Sequence, residues 1–596
     1  MCGILFSVTT PDKPINQDVW NTLQELNTRR GPDAQNLECV QLETEGSRTL
    51  LLRFFSTVLH LRGTEISPQP KYNKDSGNIL CWNGEIFGGI EVGQEENDTN
   101  VLMNHLENAK NEKDILNILQ SIEGPFAFVY YRAAMKKIYF GRDCLGRRSL
   151  LWHRSADGHF ILSSVCMVPK KDSPEENNAW EEVPANGFYR IDLSNVDPPL
   201  ELPTVCRLSL SLIPWKYAAE DLDAKDTEST ILPSMSIEME QKVNEFVSVL
   251  GDAVKRRVAD IPYLNTKGQP RVAILFSGGL DCICLAALAD QYLPSLEAID
   301  LLNVAFENPR AEQAKSSAQK QSKSKKKKNN KNDHTADSLH MDEPINNIYD
   351  TPDRLTGRAS VEELRRIAPH RLWNFVEINV PYSEALEYRQ RIIDRMYPLD
   401  TVMDLSIAMA FWFASRGRGN LSNMHINYKN LVKQIVPTLI YAVKEYESHS
   451  RVLISGLGAD EQLGGYSRHR EAFRHGGWNR LIEEVQLDID RISTRNLGRD
   501  DRIMSDHGKE VRFPFLSTSV VDWLCRQPIY IKMDLRYNRG LGEKLLLRHV
   551  ARQLGLINAS RNWKRAIQFG AKTAKMTGEA RSEKGQHKLS VASTTS

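Results

Sequence analysis

The sequence predicts two domains in series: a strand-rich α+β domain, then an α/β domain with a doubly wound parallel sheet. Residues 1–200 contain many short apolar runs bounded by Gly, Asn or Asp and few helical windows, which is typical of a domain with two sheets. From residue 272 onward, single apolar runs alternate with helical windows, which is typical of an open parallel sheet. The length of 596 residues accommodates both domains.

Within the first domain we expect two helices, at 17–29 and 98–119, because both windows carry an apolar face at helical spacing. The expected strands are 3–8, 50–55, 58–61, 79–82, 125–131, 137–141, 150–152 and 160–163. We place this domain at 2–195. Residues 196–235 are rich in Pro, Ser and Asp and predict a connection.

The second domain is predicted at 236–577. It begins with a helix at 236–259, and a further helix is expected at 282–292. Continuous apolar runs predict buried strands at 272–276, 301–306, 372–380 and 452–455.

A low-complexity segment at 308–350 interrupts this domain. Residues 319–332 carry seven lysines among Ser, Asn and Gln and no apolar residue, so burial cannot offset the ordering entropy and we predict a disordered insertion. The tail at 578–596 is predicted to be disordered as well. A nuclear address or an RNA-binding patch remains open for the lysine run, but a solvated surface loop is the preferred interpretation.

Composition excludes several classes of protein. Lys and Arg number 77 against 76 Asp and Glu, so no overall basic field favours nucleic acid. The longest apolar stretch, 405–414, is half of the roughly 20 residues that a membrane span needs. The nine cysteines lack zinc-site spacing, and residues 1–6 lack a basic leader. We expect a cytoplasmic protein with reduced thiols and no membrane association.

Cys2 is the first candidate catalytic residue. Removal of Met1 would give Cys2 a free α-amine, which can take the proton of its own thiol and so activate it as a nucleophile. Taken alone, a cysteine here is also compatible with a small buried residue at a strand start. Downstream, Asn83 and Gly84 follow a strand and could donate hydrogen bonds to an oxyanion. Asp98 stands at a helix start, where it could cap the helix or pair with a substrate ammonium.

Six motifs in order then resemble the class II, Ntn-type glutamine amidotransferase domain. They are MCGI at 1–4, RRGPD at 29–33, WNGEIF at 82–87, NDT at 97–99, GPFAF at 124–128 and GRDCLGRRSL at 141–150. The resemblance implies a four-layer αββα fold in which two stacked sheets lie between helices. It also implies that Cys2 attacks the side-chain amide of glutamine and releases ammonia.

The same resemblance assigns the groups around the nucleophile. Asn83 and Gly84 would form the oxyanion hole, while Glu85 and Asp98 would hold the head group of glutamine. The family usually has an Arg near 58–63 that binds the glutamine carboxylate. The usual position here holds Val58, and Arg62 is the nearest candidate.

Residues 272–282, VAILFSGGLDC, predict a strand, a Gly-rich turn and a helix start. Such a turn lets backbone N–H groups and the helix dipole converge on an anion. A generic glycine turn would be the structural alternative for the short SGG piece. SGGLD after such a strand resembles the PP-loop of ATP pyrophosphatases, with Cys282 at a position where the family usually has Ser.

Further segments extend the resemblance to asparagine synthetases over nearly the whole chain. They are LISGLGADEQLGGY at 453–466, HGKEVRFPFL at 507–516, EKLLLR at 543–548 and KRA at 564–566. The insertion and the loop changes resemble a divergent branch of that family. The resemblance implies binding of ATP and Mg²⁺, adenylation of aspartate or a related acid, and attack by ammonia that reaches the second site through a shielded path.

By the same resemblance, the residues that bind ATP fall into three groups. Ser277, Gly278, Gly279, Asp281 and Lys564 would bind the phosphates, and the backbone of Phe276 and Val304 would meet the adenosine. Ser455 and Gly456 would contact the nucleotide, while Asp281 and Asp460 would meet Mg²⁺ through the pyrophosphate.

One departure from the family stands inside the second site. Asparagine synthetases usually carry Glu at the third position of the SG-x-G loop, near the attacking ammonia, and this chain has Leu457. Leucine accepts no proton. Two hypotheses therefore stand: a working glutamine-dependent amide synthetase, and a regulatory scaffold with one or both sites idle. A β-lactam-synthetase-like cyclisation is disfavoured because Cys2 is present. Glutamine and an aspartate-like acid are the expected substrates, and a homodimer remains open.

Overall fold

The computed structural model describes residues 2–44, 48–155, 159–168, 179–194, 204–206, 232–263, 269–309, 348–422, 445–574 and 586–589. The first half contains two antiparallel sheets of six strands each. Their order is β10-β8-β9-β1-β3-β2 and β12-β11-β7-β6-β5-β4. The strands are β1 (Gly3–Thr9), β2 (Ala34–Glu43), β3 (Thr49–Val58), β4 (Lys71–Tyr72), β5 (Ile79–Gly84), β6 (Phe126–Arg132), β7 (Lys137–Arg142), β8 (Leu151–Arg154), β9 (Phe160–Ser163), β10 (Glu181–Glu182), β11 (Phe188–Asp192) and β12 (Thr204–Cys206).

Three helices cover the outer faces of these sheets: α1 (Gln17–Thr28), α2 (Asp98–Glu107) and α3 (Glu112–Ser121). Trp20 and Leu23 of α1 pack on the first sheet, and the second sheet packs on α2 and α3. A separate core that includes Phe6, Phe54 and Phe140 fills the space between the sheets. The predicted four-layer αββα arrangement is confirmed.

The second half is built on a seven-stranded sheet in the order β17-β16-β15-β14-β13-β18-β19. Its strands are β13 (Val272–Leu275), β14 (Ile299–Phe306), β15 (Trp373–Val380), β16 (Arg418–Leu421), β17 (Tyr446–Glu447), β18 (Val452–Ile454) and β19 (Glu510–Arg512). Five neighbouring strands pair in parallel, in the order β15, β14, β13, β18 and β19. Beyond β15, the strands β16 and β17 extend the sheet with antiparallel pairing.

Helices lie on both faces of this sheet, which confirms the doubly wound architecture. One apolar core joins the sheet to α4 and α5, and a second core joins its other face to α9 and α12. The helices are α4 (Ile237–Val258), α5 (Leu280–Asp290), α6 (Pro352–Ile367), α7 (Tyr382–Glu387), α8 (Arg389–Met396), α9 (Val402–Arg416), α10 (Ala459–Leu463), α11 (Ser467–Asp490), α12 (Leu497–Ser505), α13 (Thr518–Arg526), α14 (Ile529–Lys532), α15 (Leu545–Gln553) and α16 (Ile567–Gly570).

Most predicted elements lie within two residues of the observed ones, with three exceptions. The single helix expected at 98–119 is two helices, because Asn111 begins a new helix by accepting a hydrogen bond from the N–H of Asp114 at 3.0 Å. The strands expected at 50–55 and 58–61 are the one strand β3, and 59–61 leave the sheet. Several strands were not expected, among them β2, β11 and β19; β2 lies at a sheet edge, where its mostly exposed residues form no apolar run.

Parts of the predicted linkers fall outside the described residues, namely 195–203, 207–231, 310–347 and most of the tail. Residues 586–589 of the tail are described, and the N–H of Leu589 donates to the carbonyl of Asp400 at 2.7 Å. The predicted domain boundaries stay predictions. Over the described ranges, no helix combines the length and the apolar character needed to cross a membrane.

Candidate active sites

Cys2 lies at the start of β1, next to the end of β5. Its backbone nitrogen donates to Oδ1 of Asn83 at 3.0 Å. Nε2 of Gln69 lies 3.9 Å from its Sγ. Cys2 is buried, with 9% of its surface exposed. The structure therefore brings the predicted nucleophile next to the predicted oxyanion donor.

The side chain of Asn83 carries a buried donor without an acceptor. Its Nδ2 has no hydrogen-bond partner among the described residues, although Asn83 is fully buried. An unsatisfied buried donor costs about 1–3 kcal/mol, which a ligand oxygen at this position would offset. Gly84 follows at a tight crossing, where a Cβ would lie 2.6 Å from Cβ of Phe126. Both residues fit a site in which a negative oxygen forms close to Cys2.

The thiol of Cys2 needs a base before it can attack. Burial raises the pKa of the Cys2 thiol to about 11, while the positive charge of the amino terminus lowers it. The thiol is therefore protonated at neutral pH. An α-amine on Cys2, with a pKa of about 7.7–8.0, would supply the base from the same residue.

Glu85 and Asp98 lie together beyond Asn83. Oδ2 of Asp98 accepts a hydrogen bond from the N–H of Ile86 at 3.2 Å. Burial raises the pKa of both carboxyl groups, that of Glu85 to about 8. Two buried carboxylates side by side favour a cation such as the α-ammonium of an amino acid.

Arg62 lies at the same place and contacts Ile86 and Glu85. Its Nη1 donates to the carbonyl of Ile86 at 3.0 Å and lies 3.9 Å from Oε2 of Glu85. Its Nε has no hydrogen-bond partner within the described residues. Binding of the glutamine carboxylate by Arg62 stays a prediction.

Sequence reasoning missed Arg512, which reaches this site from the second half of the chain. Its Nη2 lies 3.1 Å from Oε1 of Glu85, and its Nε donates to Oε1 of Glu510 at 2.6 Å. Nη2 of Arg148 lies 2.9 Å from Oε2 of Glu510. The pKa of Glu510 falls to about 2 because Arg148 and Arg512 outweigh its burial. The motif that contains Arg512 was recognised, but no local pattern indicates its distant partner.

Arg30 makes a second buried connection between the halves. Its Nε donates to the carbonyl of Cys2 at 3.2 Å. Its other nitrogens donate to Oδ2 of Asp501 at 2.7 Å and to Oγ of Ser505 at 2.6 Å. A side chain that touches the nucleophile residue thus also binds α12 of the second half.

The motif at 141–150, which resembles part of the amidotransferase, also serves this interface. Arg147 donates to the carbonyls of Gly124 at 2.6 Å and Leu516 at 2.7 Å. Arg148 donates to the carbonyl of Val511 at 3.0 Å. These arginines are almost fully buried, so they hold the two halves together through main-chain contacts.

The predicted phosphate loop connects β13 to α5 at the carboxyl end of the sheet. Gly278 has φ of 77°, and a Cβ there would lie 2.5 Å from the nitrogen of Gly357. The N–H of Gly279 donates to Oγ of Ser277 at 3.3 Å. Sγ of Cys282 donates to the carbonyl of Gly279 at 3.2 Å. The thiol therefore supports the loop itself.

Four charges surround this loop. Nζ of Lys544 lies 2.6 Å from both oxygens of Asp281 and 2.7 Å from Oδ1 of Asp460. Nζ of Lys564 pairs with Oδ2 of Asp460. Lys544 stands in the EKLLLR motif at 543–548, and no local pattern there predicts that it meets two acids. Its left-handed backbone, with φ of 55° before α15, places it between the two acids.

A cavity of about 1020 Å³ opens in front of the loop. All but one of the predicted nucleotide residues line it: Phe276, Ser277, Gly279, Asp281, Val304, Ser455, Gly456, Asp460 and Lys564. Gly278 instead packs behind the loop, where its carbonyl accepts from Oγ of Ser360 at 2.8 Å. The volume suits a nucleotide together with a small acid.

The residues at this site fit a metal that arrives with phosphate. Across the described ranges, no group of three or more His, Cys, Asp or Glu side chains forms a ready metal site. Asp281 and Asp460 supply two carboxylates beside the loop, and Mg²⁺ is usually bound by one or two carboxylates plus phosphate oxygens.

Leu457 lines the same cavity and packs against the second core. Its N–H lies 3.4 Å from Oγ of Ser455. The side chain contributes apolar surface where the resembling enzymes carry a carboxylate.

Comparisons with known proteins agree with both halves. A model of the glutamine amidotransferase domain matches residues 1–183, and a model of asparagine synthase matches residues 473–583. Asparagine synthetase domain-containing protein 1 of Gallus gallus is 39% identical, with 99% of both chains covered. The Homo sapiens protein of that name is 38% identical over 97% of this chain and 95% of its own. A Saccharomyces cerevisiae asparagine synthetase domain-containing protein is 32% identical over 94% and 89%.

Among solved structures, a glutamine PRPP amidotransferase from B. subtilis matches 50% of this chain and 65% of its own, at 13% identity. Its TM-score is 0.25, so the superposition carries no structural argument.

Proposed function

Because this chain belongs to the family of asparagine synthetase domain-containing proteins, we propose that it is a glutamine-dependent, ATP-consuming amide synthetase. Glutamine is hydrolysed at Cys2, and the ammonia is used at the cavity in front of β13 to convert aspartate or a related acid into its amide. The observation that carries the proposal is the unsatisfied, buried Nδ2 of Asn83 beside Cys2, because a tetrahedral oxyanion is the acceptor that it lacks.

At the first site the chain's own groups account for each step. The α-amine of Cys2 takes the thiol proton, and the sulfur attacks the amide carbon of glutamine. Asn83 Nδ2 donates to the oxygen that becomes negative, while Glu85 and Asp98 hold the α-ammonium. As the tetrahedral intermediate collapses, the C–N bond breaks and the protonated α-amine of Cys2 gives its proton to the leaving nitrogen, which departs as ammonia. Water then attacks the thioester and frees glutamate from the sulfur.

At the second site the charges beside the loop manage the phosphates. Lys544 and Lys564 exchange their carboxylate partners for phosphate oxygens, so the charge of the pyrophosphate is offset as it leaves. Asp281 and Asp460 would hold Mg²⁺, which would supply further charge neutralisation. The acid is thereby activated as an acyl-adenylate, and the enclosing walls limit its hydrolysis.

A second candidate function rests on Leu457, which removes the carboxylate that the resembling enzymes place near ammonia. In that case the protein is a regulatory scaffold, or a glutaminase whose second half binds a nucleotide without turnover.

One experiment separates these functions. The purified full chain is incubated with amide-labelled glutamine, aspartate and MgATP, and glutamate, AMP and asparagine are quantified separately. Our proposal predicts all three products in comparable amounts. Glutamate without AMP would leave only the glutaminase, and neither product would favour the scaffold.

Location and assembly belong to the same proposal. Both substrates and ATP are abundant in the cytoplasm, where free thiols such as Cys2 and Cys282 stay reduced. Cell fractionation tests the location, and light scattering of the purified chain tests the homodimer.

A further inference from the structure

Helix α12 lies between the two sites, and its successive acids Asp500 and Asp501 face different sites. Oδ2 of Asp501 accepts from Arg30, which itself contacts the carbonyl of Cys2. Asp500 lines the large cavity instead. Successive helical residues point about 100° apart, so one helix can serve both sites. Asp500 is therefore the carboxylate that this helix presents to the synthetase cavity.

The carboxylate of Asp500 is only half satisfied. Its Oδ1 lies 2.8 Å from Nε and 2.7 Å from Nη2 of Arg499. Its Oδ2 is buried and has no hydrogen-bond partner among the residues that the structure describes. The residue as a whole is 0% exposed. A buried oxygen without a donor is costly, so a donor supplied by a ligand explains why it is retained.

Leu457 and Leu516 line the same cavity as Asp500. Leu457 occupies the loop position at which asparagine synthetases usually carry Glu. Apolar residues in the lining of a cavity lower the local dielectric and strengthen a hydrogen bond that a carboxylate of the same cavity accepts. The apolar side chain at 457 and the unpartnered oxygen at 500 thus belong to one cavity.

The other carboxylates at the cavity are paired or lie beside the phosphate loop. Asp281 and Asp460 pair with Lys544. Oε1 of Glu461 accepts from the hydroxyl of Tyr466 at 2.5 Å. Its Oε2 is also buried without a partner among the described residues, but Glu461 directly follows Asp460, which pairs with the lysines of the loop. Glu543 pairs with Arg470 at 2.6 Å.

Asp353 also lines the cavity, in the first turn of α6. Its charged neighbours are Arg565 and Lys564, which belong to the phosphate side. Among these acids, Asp500 combines an unpartnered oxygen with a position on α12, an element separate from the phosphate loop and from α10, which carries Asp460 and Glu461.

We propose that Asp500 is the proton acceptor for amide formation, in place of the carboxylate that position 457 lacks; the inference rests on the proposed function. Ammonia forms the new C–N bond at the acyl carbon, and Asp500 takes one proton from that nitrogen. The C–O bond to the AMP phosphate breaks, and its electron pair leaves with AMP. The products are the amide, AMP and protonated Asp500, which returns its proton to solvent.

The charges around Asp500 suit this role at neutral pH. Burial raises its pKa to about 6, and Asp404 adds to that effect, while Arg499 and Arg502 lower the pKa. Nη1 of Arg499 contacts Asp404 Oδ1 as well, so the two acids share one guanidinium. At pH 7.5 Asp500 is ionised, yet basic enough to accept a proton from an attacking amine.

The test supplies ammonium chloride in place of glutamine, together with aspartate and MgATP, and measures AMP and asparagine in wild type and Asp500→Asn. We expect the variant to form about 10²-fold less asparagine and AMP, because the adenylate still forms but loses the base for the attack of ammonia, and the enclosing walls limit its hydrolysis. Glutamate release from glutamine stays unchanged. The double variant Leu457→Glu/Asp500→Asn is expected to form at least about tenfold more asparagine than Asp500→Asn, because the new carboxylate restores a base.

Asp404→Asn is the matched control, because it disturbs the same guanidinium without removing the free oxygen. It is expected to keep the wild-type rate at pH 8 and to shift the midpoint of the pH–rate profile to lower pH, since a negative neighbour is lost. If Asp404→Asn loses asparagine as Asp500→Asn does, Asp500 only supports Arg499 and the inference is wrong.

The remaining outcomes are separable. Wild-type asparagine formation by Asp500→Asn overturns the inference and leaves the proposed function standing. Absence of AMP and asparagine in wild type overturns both. If Asp500→Asn does not fold, the pH–rate profiles of wild type and Asp404→Asn decide. The midpoint of the profile moves to lower pH in Asp404→Asn only if Asp500 accepts a proton in the reaction, and an unchanged midpoint overturns the inference.

Discussion

The two sites of this molecule differ in how much of each is already satisfied. Around Cys2, the buried Nδ2 of Asn83 lacks an acceptor, and the carboxylates of Glu85 and Asp98 lie close together in the interior. Around the phosphate loop, Asp281 and Asp460 are already paired with lysines. The first site is poised for a ligand, whereas the second must exchange ion pairs for phosphate contacts.

This difference teaches where specificity and control reside. A fixed, buried arrangement favours one transition state and needs little rearrangement. Lysine–carboxylate pairs keep the charge beside the phosphate loop neutral until a phosphate competes for the lysines, so nucleotide binding must rearrange these pairs. The buried arginines Arg30 and Arg512 connect the Cys2 site to the second half of the chain.

The largest expected effect separates the two sites completely. Cys2→Ala removes the nucleophile, and glutamate release should fall by at least about 10³-fold. Because the second cavity contains no part of Cys2, AMP formation with ammonium chloride and aspartate should remain within about twofold of wild type. Glutamate and AMP assays on the same preparation check this. Loss of both activities would contradict the independence of the two sites.

The next largest effect concerns Arg512, which connects the Cys2 site to the second half of the chain. Arg512→Met leaves Glu85 and Glu510 without a shared cation, and breaking a buried pair in this way should lower the free energy of unfolding by about 3–5 kcal/mol. Urea unfolding followed by tryptophan fluorescence measures it.

Arg526→Met is the matched control, because its side chain is 56% exposed and its partner Asp522 lies on the surface. That variant should change stability by less than about 1 kcal/mol. Equal effects in the two variants would show that Arg512 does not hold the halves together.

The third effect tests whether the first site is preorganised. Asn83→Ala removes the unsatisfied donor, and kcat for glutamate release should fall by about 10²–10³-fold with a smaller change in KM. Asn108→Ala, at the exposed end of α2, is the control and should leave both constants unchanged. A change confined to KM would mean that Asn83 binds ground-state glutamine rather than an oxyanion.

The sequence predicts the parts of the two sites that stand in local motifs, and it does not predict contacts between residues that lie far apart in the chain. The Cys2 site was recognisable because Cys2, Asn83 and Asp98 stand in motifs that keep a fixed order. The sheets followed from apolar runs with clear ends. By contrast, the break between α2 and α3 was missed because the apolar spacing continues across it, and capping by Asn111 decided the structure.

Long-range electrostatics escaped prediction for a physical reason. Arg512 contacts Glu85, and Lys544 contacts Asp281, through the packing of elements that lie far apart in the chain. Periodicity reports which face is buried, and it does not report which charge meets which. The role of Lys544 further depends on a left-handed backbone that its sequence alone does not indicate.

The smallest expected effect is a pH dependence that belongs only to the Cys2 site. The pKa of Glu85 is raised to about 8 by burial, so its carboxylate becomes ionised as the pH rises towards 8. An ionised Glu85 attracts the α-ammonium of glutamine, and KM for glutamine should therefore fall about threefold to tenfold between pH 6.5 and 8.

Glu85→Gln should abolish this trend, since the amide does not titrate, while the pH dependence of kcat that comes from the α-amine of Cys2 should persist. Initial rates across the pH range, measured for both proteins, separate the two constants. Because no group of the phosphate loop faces Glu85, KM for ATP in the ammonium-fed reaction should not change between wild type and Glu85→Gln. A parallel shift in both KM values would mean that Arg512 transmits the charge of Glu85 to the second site, and the contrast between the sites would then be one of degree.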